Sequence, residues 1–309
     1  EVKGKAIESN VKQLKSYLKG DCQLMAVVKA DGYGHDAEFV SRYAIKGGAS
    51  QLGVATLKEG IKLRLSGIKI PILVLGNLHT KKDLMTCFKN DLMPTISSIN
   101  ECLICNNIGK SFGLKFALHL KVDTGMSRLG FECEQFIQQF EKIKSFENIC
   151  IKGIYSHLSS ADEKNAFDLK SSAQLQKQKF NKLLEKIKIG GDHNIKIHIA
   201  NSAGMFLGEE YHFDMVRVGL SIYGYNPSSH PEKNLCLIPS LLLKVKVAFI
   251  RNIDKGVGVS YGSKFVSSQK TKLAVLSIGY ADGISRNLSG KIKVLHNNKF
   301  YRQIGSITM

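Results

Sequence analysis

Five short polar segments carry the residue types that could do chemistry in this 309-residue sequence. In AVVKADGYGH (26–35), an apolar run ends on Lys29 and a glycine-rich turn follows at once. A lysine amine at the end of a buried strand can form a Schiff base with a carbonyl compound. The other four segments are LKVDTGMSR (120–128), IYSH (154–157), ANSAG (200–204) and RVGL (217–220).

Two of these segments suit an anion site. ANSAG supplies a hydroxyl group, and RVGL supplies backbone N–H groups with a glycine that permits close approach. A phosphate site opposite a Schiff-base lysine is the combination that pyridoxal phosphate requires. The five segments therefore predict a pyridoxal-phosphate site, provided that the fold brings them together.

The elements that must position these segments alternate between strands and helices. Helical periodicity is clear at 132–146 and 173–187. Strands that alternate with helices pair in parallel through crossovers, and eight such units close into a (β/α)8 barrel whose site lies at the C-terminal strand ends. A doubly wound open sheet is the alternative. The eight strand candidates are 24–28, 51–55, 71–75, 92–96, 115–122, 150–156, 195–200 and 213–218.

The pattern changes after about residue 235. LLLKVKVAFI, KLAVLSIGYA and the stretch from 291 alternate with period two and turn at sites such as HNNK. We therefore expect an α/β barrel that binds pyridoxal phosphate over 1–232 and an antiparallel β domain over 233–309. Three prolines, Pro227, Pro231 and Pro239, mark the linker.

Composition narrows the function classes. The net charge is +18, but only seven of the 44 basic residues are arginines and the lysines are dispersed, which argues against a nucleic-acid partner. No apolar run reaches membrane-spanning length, and the N-terminus is an amphipathic helix pattern without a secretory segment. Seven scattered cysteines favour reduced thiols in the cytoplasm. The single CxxC, Cys102 to Cys105, has no second pair, so no metal site is expected.

Taken together, the motifs resemble the alanine racemase family, which are fold-type III pyridoxal-phosphate enzymes. The resemblance runs along essentially the whole chain, and its fold, a barrel plus a β domain, agrees with the strand count. The motifs that carry it are AVVKADGYGHD, LKVDTGMSRLGF, IYSHLSSADE, IANSAG, MVRVGLSIYG, VGVSYGSKF and SIGYADG.

The resemblance implies a role for each site residue. Lys29 would hold the cofactor covalently, and Arg217 would face its ring nitrogen, with His157 near the ring and bridging toward Arg217. Arg128 would meet the substrate carboxylate or a phenol near it. Lys121 matches a lysine that is carbamylated in many members, although pairing with Asp123 is an alternative for an unmodified amine. The phosphate would be held by Tyr33, Ser202, Gly219 and Leu220, with Asn201 beside it.

Racemisation needs two proton-transfer groups on opposite faces of the substrate carbon. The resemblance implies that Lys29 serves one face and Tyr261, in VSYG, the other. In the family this tyrosine reaches the partner subunit's barrel, so we expect a homodimer with shared active sites. Tyr280 resembles an entrance residue, and Met309 lies in what resembles the Gly-x-x-x-Met-Asp segment near the substrate. The family continues beyond this point, so the β domain is expected to be truncated here. Ser127 stands where glycine is common.

The expected reaction is interconversion of L- and D-alanine, which supplies D-alanine for bacterial peptidoglycan. Three alternatives stay open. They are a racemase for another amino acid such as serine or lysine, a non-catalytic pyridoxal-phosphate carrier, and a fold-type III decarboxylase. The β domain and VSYG argue against the carrier, and the absence of the decarboxylase cysteine motif argues against the third.

Overall fold

A computed structural model describes residues 1–189, 194–228 and 235–309. The chain divides into two compact units, Val2–Leu242 and Leu243–Met309, the second of which includes Glu1. The boundary expected at 232/233 and Pro231 lie outside the described residues, so that boundary stays a prediction.

All eight expected barrel strands are present in the larger unit, and each pairs in parallel with its neighbours. The spatial order is β8-β7-β5-β4-β3-β2-β1-β9, with the short β6 beside β5. Two backbone hydrogen bonds join the outer strands, from Asp214 N–H to Ile197 O and from Arg217 N–H to Ala200 O, both 3.0 Å. The predicted (β/α)8 barrel is therefore confirmed as a nearly closed sheet. Its strands are β1 Gln23–Val27, β2 Gln51–Val54, β3 Ile72–Asn77, β4 Met93–Ile96, β5 Phe116–Asp123, β6 Phe131–Glu132, β7 Ile149–Tyr155, β8 Lys196–His198 and β9 Met215–Val218.

Seven right-handed α-helices lie in the described part of this unit. Polar caps begin most of them, as at Thr56, whose side chain accepts from Glu59 N–H while the Glu59 carboxylate accepts from Thr56 N–H. The periodic stretches at 132–146 and 173–187 form the helices Cys133–Lys144 and Ser172–Lys186, as expected. The helices are α1 Gly4–Tyr17, α2 Ala37–Lys46, α3 Leu57–Leu65, α4 Lys81–Lys89, α5 Ile99–Phe112, α6 Cys133–Lys144 and α7 Ser172–Lys186.

The barrel interior has its own small apolar cluster, separate from the core between strands and helices. Its members come from five different strands and include three methionines, whose unbranched side chains fill irregular space. Because strand side chains alternate in direction, the residue two positions further along each strand points to the same face, one step nearer the C-terminal rim. The cluster consists of Met25, Leu73, Met93, Tyr155 and Met215.

The smaller unit is built of antiparallel pairs, as expected. The HNNK turn is confirmed, with Asn297 and Asn298 both at positive φ (48° and 60°). The first strand begins at Val247 rather than at Leu241. The pairs are β10 Val247–Ile253 with β13 Thr271–Leu276, β11 Gly258–Val259 with β12 Phe265–Val266, and β14 Lys293–His296 with β15 Lys299–Arg302.

Candidate active site

A cavity of about 310 Å³ opens at the C-terminal ends of the barrel strands and brings together all five polar segments. Strand alternation explains how it is lined, since Lys121 lies two residues after His119 on β5 and Arg217 two after Met215 on β9. Its lining includes Lys29, Tyr33, Lys121, Arg128, Tyr155, His157, Asp162, Asn201, Ser202, Arg217, Gly219 and Leu220.

The turn that carries Lys29 into the cavity is left-handed. Ala30, Asp31 and Tyr33 have φ near +53°, a region that costs a non-glycine residue about 1–2 kcal/mol. The Glu59 carboxylate accepts from Ala30 N–H at 2.8 Å while also capping α3. Contacts from the neighbouring helix thus hold a strained turn at the point where the lysine enters the site.

The expected phosphate-binding residues meet at one edge of the cavity. Ser202 Oγ accepts from Gly219 N–H at 2.9 Å, so that N–H is already engaged. A Cβ on Gly219 would lie 2.6 Å from Tyr33 Oη, so a larger residue there would displace the Tyr33 hydroxyl. The Tyr33 ring packs against Tyr223, with ring centroids 5.0 Å apart. Asn201 Oδ1 accepts from Gly204 N–H at 2.9 Å and shapes the adjoining loop.

Arg217 is buried against the cavity wall and is held from several sides. Its Nη1 donates to His198 Nδ1 at 2.8 Å. Its Nη2 donates to Ser156 O at 2.7 Å, and the expected bridge to His157 Nδ1 is present at 3.2 Å. Burial lowers the pKa of Arg217 to about 10, so the side chain stays cationic at neutral pH.

The His157–Arg217 pair carries one positive charge rather than two. His157 Nδ1 must accept from the guanidinium, which has only N–H donors. Burial and the nearby Arg217 charge lower the pKa of His157 to about 3. The imidazole is therefore neutral.

Lys121 does not form the ion pair with Asp123 that was one of its two expected arrangements. Its Nζ donates to Leu129 O at 3.0 Å, while Asp123 Oδ1 accepts from the backbone N–H groups of Gly125 (2.9 Å) and Ser127 (3.1 Å). Burial, followed by the charges of Arg217 and Arg128, lowers the pKa of Lys121 to about 8. Ser127 sits at φ 54°, a left-handed conformation in which a glycine would be unstrained.

The charge balance of the cavity is strongly positive. Among the described residues its lining includes four cationic side chains, on Lys29, Lys121, Arg128 and Arg217, and one carboxylate, on Asp162. Such a wall suits a ligand with several negative charges. No group of three or more His, Cys, Asp or Glu side chains in the described ranges is arranged to hold a metal ion, and Cys102 and Cys105 are buried in α5.

Three residues of the site were not among those singled out from the sequence: Tyr155, His119 and His198. The Tyr155 ring lies parallel to the His198 imidazole, with centroids 4.7 Å apart, and its hydroxyl is 2.8 Å from Thr95 Oγ1. His119 Nδ1 lies 3.0 Å from His198 Nε2. The spacing of residues was the available signal. Tyr155 lies two positions before His157, and His119 lies two positions before Lys121, so strand alternation predicts that each points the same way as its partner.

The remaining expected site residues lie in the smaller unit, where one terminal stretch gathers them. Ser306 Oγ donates to Tyr261 O at 3.2 Å, and Tyr280 N–H donates to Thr308 O at 2.9 Å. Tyr261 is 69% exposed in the single chain, so its ring is accessible to another molecule, and Met309, the last residue of the given sequence, is 73% exposed. The described helices include none long and apolar enough to cross a membrane.

Comparison with known proteins follows the same division of the chain. The family models for the alanine racemase N-terminal and C-terminal domains match residues 2–227 and 240–309. The alanine racemase of Prochlorococcus marinus is 48% identical over 309 residues, which is all of this chain and 80% of the relative. The solved alanine racemase of Clostridium difficile superposes with a TM-score of 0.88 at 32% identity, covering 100% of this chain and 80% of that one. The alanine racemase of Bartonella henselae, solved with covalently bound pyridoxal phosphate, gives a TM-score of 0.84 at 28% identity over 100% of this chain and 82% of that one. With both domains matched in order and the site assembled at the barrel rim, the chain belongs to the alanine racemase family of enzymes.

Proposed function

We propose that this protein interconverts L- and D-alanine with pyridoxal phosphate as cofactor and supplies D-alanine for peptidoglycan in the cytoplasm. The observation that carries the proposal is that one cavity joins Lys29 to the edge formed by Tyr33, Ser202 and Gly219 and also to a wall of cationic side chains. The family membership and the cofactor of the Bartonella henselae relative support it.

The residues present fit pyridoxal phosphate. Tyr33, Ser202, Gly219 and Leu220 would line the phosphate, with the Ser202 hydroxyl, which accepts from Gly219 N–H, still able to donate its own proton to the phosphate. Arg217 would donate to the ring nitrogen, and its high pKa means that it keeps its own proton there. When bound, the cofactor makes the α-hydrogen of the amino acid acidic by delocalising the electrons left behind.

Two side chains then move protons. The Lys29 amine takes or returns the α-proton on one face, and the Tyr261 hydroxyl acts on the other, each serving as base in one direction and acid in the reverse. Arg128 neutralises the substrate carboxylate. A carbamate on Lys121 would place a negative charge beside Arg128 and orient it, with Asp123 fixing the loop between them. Tyr280 and Met309 would border the substrate entrance.

Because Tyr261 belongs to the smaller unit and is exposed, we further propose that it serves the site of a partner subunit in a homodimer. Mixing inactive Lys29→Ala and Tyr261→Phe subunits tests this. After random reassociation, half of the dimers would hold one intact site, so activity should recover to about a quarter of wild type. Failure to recover activity under conditions of proven subunit exchange contradicts shared sites.

The reaction itself is tested by incubating purified protein and pyridoxal phosphate with each alanine enantiomer in deuterated water. Chirality and α-deuterium are followed together. We expect both enantiomers to racemise with deuterium uptake, and Tyr261→Phe to lower racemisation by about 10²–10⁴-fold while one enantiomer still exchanges at the Lys29 face. Tyr301→Phe, at an exposed tyrosine of the same unit with no expected role in the site, is the matched control. Release of CO2, or no exchange with either enantiomer, would refute the proposal, and serine and lysine in place of alanine measure its selectivity.

A further inference from the structure

A chain of two histidines supports Arg217 from inside the barrel. His119 on β5 and His198 on β8 are both fully buried, and their rings meet edge to face with centroids 5.2 Å apart. The chain runs from Arg217 Nη1 to His198 Nδ1 (2.8 Å) and from His198 Nε2 to His119 Nδ1 (3.0 Å). Of these two histidines, His198 contacts the guanidinium and His119 contacts His198.

While the chain is intact, each of its hydrogen bonds can run in one direction only, because the guanidinium at its end is a donor without an acceptor. A guanidinium has no acceptor, so His198 Nδ1 must be unprotonated and the proton of a neutral His198 lies on Nε2. That proton is donated to His119 Nδ1, which must also be bare, so the His119 proton lies on Nε2. Burial and the Arg217 charge lower the pKa of both imidazoles, which keeps them neutral.

The fold makes specific room for His119. A Cβ on Gly153, in the neighbouring strand β7, would lie 2.4 Å from His119 Nδ1 and 2.9 Å from Lys196 O. The β5–β7 register also shifts between Leu118 and His119, and such irregularities re-aim side chains next to active sites. Two features of the backbone thus serve the placement of one ring.

His119 also lowers the stability of the fold at its position. Its Nε2–H is buried and has no hydrogen-bond partner among the described residues. A buried unsatisfied donor costs about 1–3 kcal/mol, which an apolar side chain of similar size would avoid. The acceptor at Nδ1 is the contribution that an apolar residue could not make.

We propose that His119 is a positioning residue: by accepting from His198 Nε2–H it fixes the tautomer that offers Nδ1 to Arg217, and so holds the guanidinium at the cavity wall. The importance of Arg217 for catalysis rests on the proposed function. The His198 tautomer and its dependence on His119 can be measured whether or not the proposed function is correct.

The test is ¹⁵N NMR of the full chain labelled at histidine nitrogens, without and with pyridoxal phosphate, compared with two variants. His119→Asn keeps an acceptor near the Nδ1 position, whereas His119→Leu is of similar size and has none. Signals of His119 and His198 are assigned by their loss in His119→Asn and His198→Asn. We expect wild type and His119→Asn to show His198 protonated at Nε2 only, and His119→Leu to lose that pattern.

Activity provides the second readout. In His119→Leu, kcat/KM for alanine should fall about tenfold, the equivalent of one buried hydrogen bond, and His119→Asn should restore most of it. His198 protonated at Nδ1, or at both nitrogens, in wild type at neutral pH would overturn the proposal. So would an unchanged His198 protonation pattern in His119→Leu, or equal losses of kcat/KM in both variants.

If His119→Leu does not fold, the comparison is made with Gly153→Ala, which should displace the His119 ring and alter the His198 protonation pattern. An inactive wild type with the expected tautomers would refute the proposed function alone.

Discussion

The carboxylate of Glu59 accepts a hydrogen bond from the backbone N–H of Ala30, the residue that follows Lys29, at 2.8 Å. The same carboxylate accepts from Ala55 N–H at 2.7 Å and Thr56 N–H at 3.1 Å. One side chain therefore joins the N-terminus of α3 to the first residue of the left-handed turn, and the position of the lysine depends on a helix cap.

Removing Glu59 should loosen that turn. We expect Glu59→Ala to lower the free energy of unfolding by about 1–3 kcal/mol and to reduce racemisation well beyond any loss of folded protein, since a small displacement of a catalytic group is costly. Glu101 offers a matched control, because it caps α5 in the same way, accepting from Ser97 N–H at 2.7 Å, without touching the lysine turn. Equal losses of activity in Glu59→Ala and Glu101→Ala would show that the hydrogen bond between Glu59 and Ala30 does not affect the site.

Lys121 should react with CO2 at mildly alkaline pH. A neutral amine and CO2 form a carbamate and release a proton, and the pKa of about 8 leaves a substantial neutral fraction near pH 8. We expect a ¹³C-carbamate NMR signal from ¹³C-bicarbonate that grows between pH 6.5 and pH 8.5 and is absent in Lys121→Met. A signal of the same size in Lys121→Met would assign it to another amine.

The same pKa makes a prediction about stability. The folded-state pKa of Lys121 lies below the unfolded value of about 10.4, so the unfolded chain binds more protons between these two values. In unmodified protein under CO2-free conditions, its contribution to the free energy of unfolding should therefore rise from pH 8 to pH 10. Lys121→Met, which has no charge to desolvate, should not show this component when urea midpoints are compared.

Acid should destabilise the barrel through its buried histidines. The pKa values of His119 and His157 are lowered to about 3, and that of His198 is lowered as well. Each group stays neutral in the folded state while the unfolded chain takes up a proton below about pH 6.5, so stability is complete above that pH and falls as the pH decreases toward 3. Each histidine contributes about 1 kcal/mol per pH unit to this slope.

Urea midpoints at pH 7 and pH 5 measure the effect before most carboxylates titrate. His119→Asn should have a shallower pH dependence than wild type, because one of the three proton sites is gone. His79→Asn, at an exposed position, is the control and should match wild type. Parallel slopes in all three proteins would contradict this assignment.

Asn10 should contribute more to stability than its neighbour Gln13, although both bind the segment that follows the barrel. Asn10 is fully buried; its Nδ2 donates to Ile222 O and Ile238 O, and its Oδ1 accepts from Ile238 N–H. Gln13 makes the corresponding pair of bonds with Cys236 at the surface. We expect Asn10→Leu to cost about 2 kcal/mol and Gln13→Leu less than about 1 kcal/mol in urea unfolding. A larger cost for Gln13→Leu would contradict the weight given to burial.

The sequence was sufficient to predict the eight barrel strands, the helices at the N-terminus, 132–146 and 173–187, and most of the polar residues that line the cavity, because each depends on local periodicity or on motifs at strand ends. It was not sufficient for the left-handed turn at Lys29. Glycine spacing signals a tight turn, but positive φ at Ala30 and Asp31 arises only from tertiary contacts such as that with Glu59. The neutral state of His157 was missed for a similar reason, since it depends on how deeply the ring and its arginine are buried together.

His119 and His198 were overlooked because a polar residue within an apolar strand has many ordinary explanations. Their role follows only once two strands that are not neighbours bring His119 Nδ1 to within 3.0 Å of His198 Nε2 in the barrel interior. A sequence pattern records which face a residue occupies. It does not record which strand lies opposite.

The seam of the barrel lies where Arg217 sits. Strands β8 and β9 are joined by few backbone bonds, and Arg217 contributes to the seam twice, through its N–H to Ala200 O and through its side chain to Ile199 O at 3.0 Å. Replacing this arginine would keep the backbone bond but remove the side-chain bond, and would so weaken the closure of the barrel as well as alter the chemistry of the site. Arg217 therefore helps to close the barrel and also lines the site, so a substitution at position 217 made to change reactivity would also have to replace a bond that joins β8 to β9.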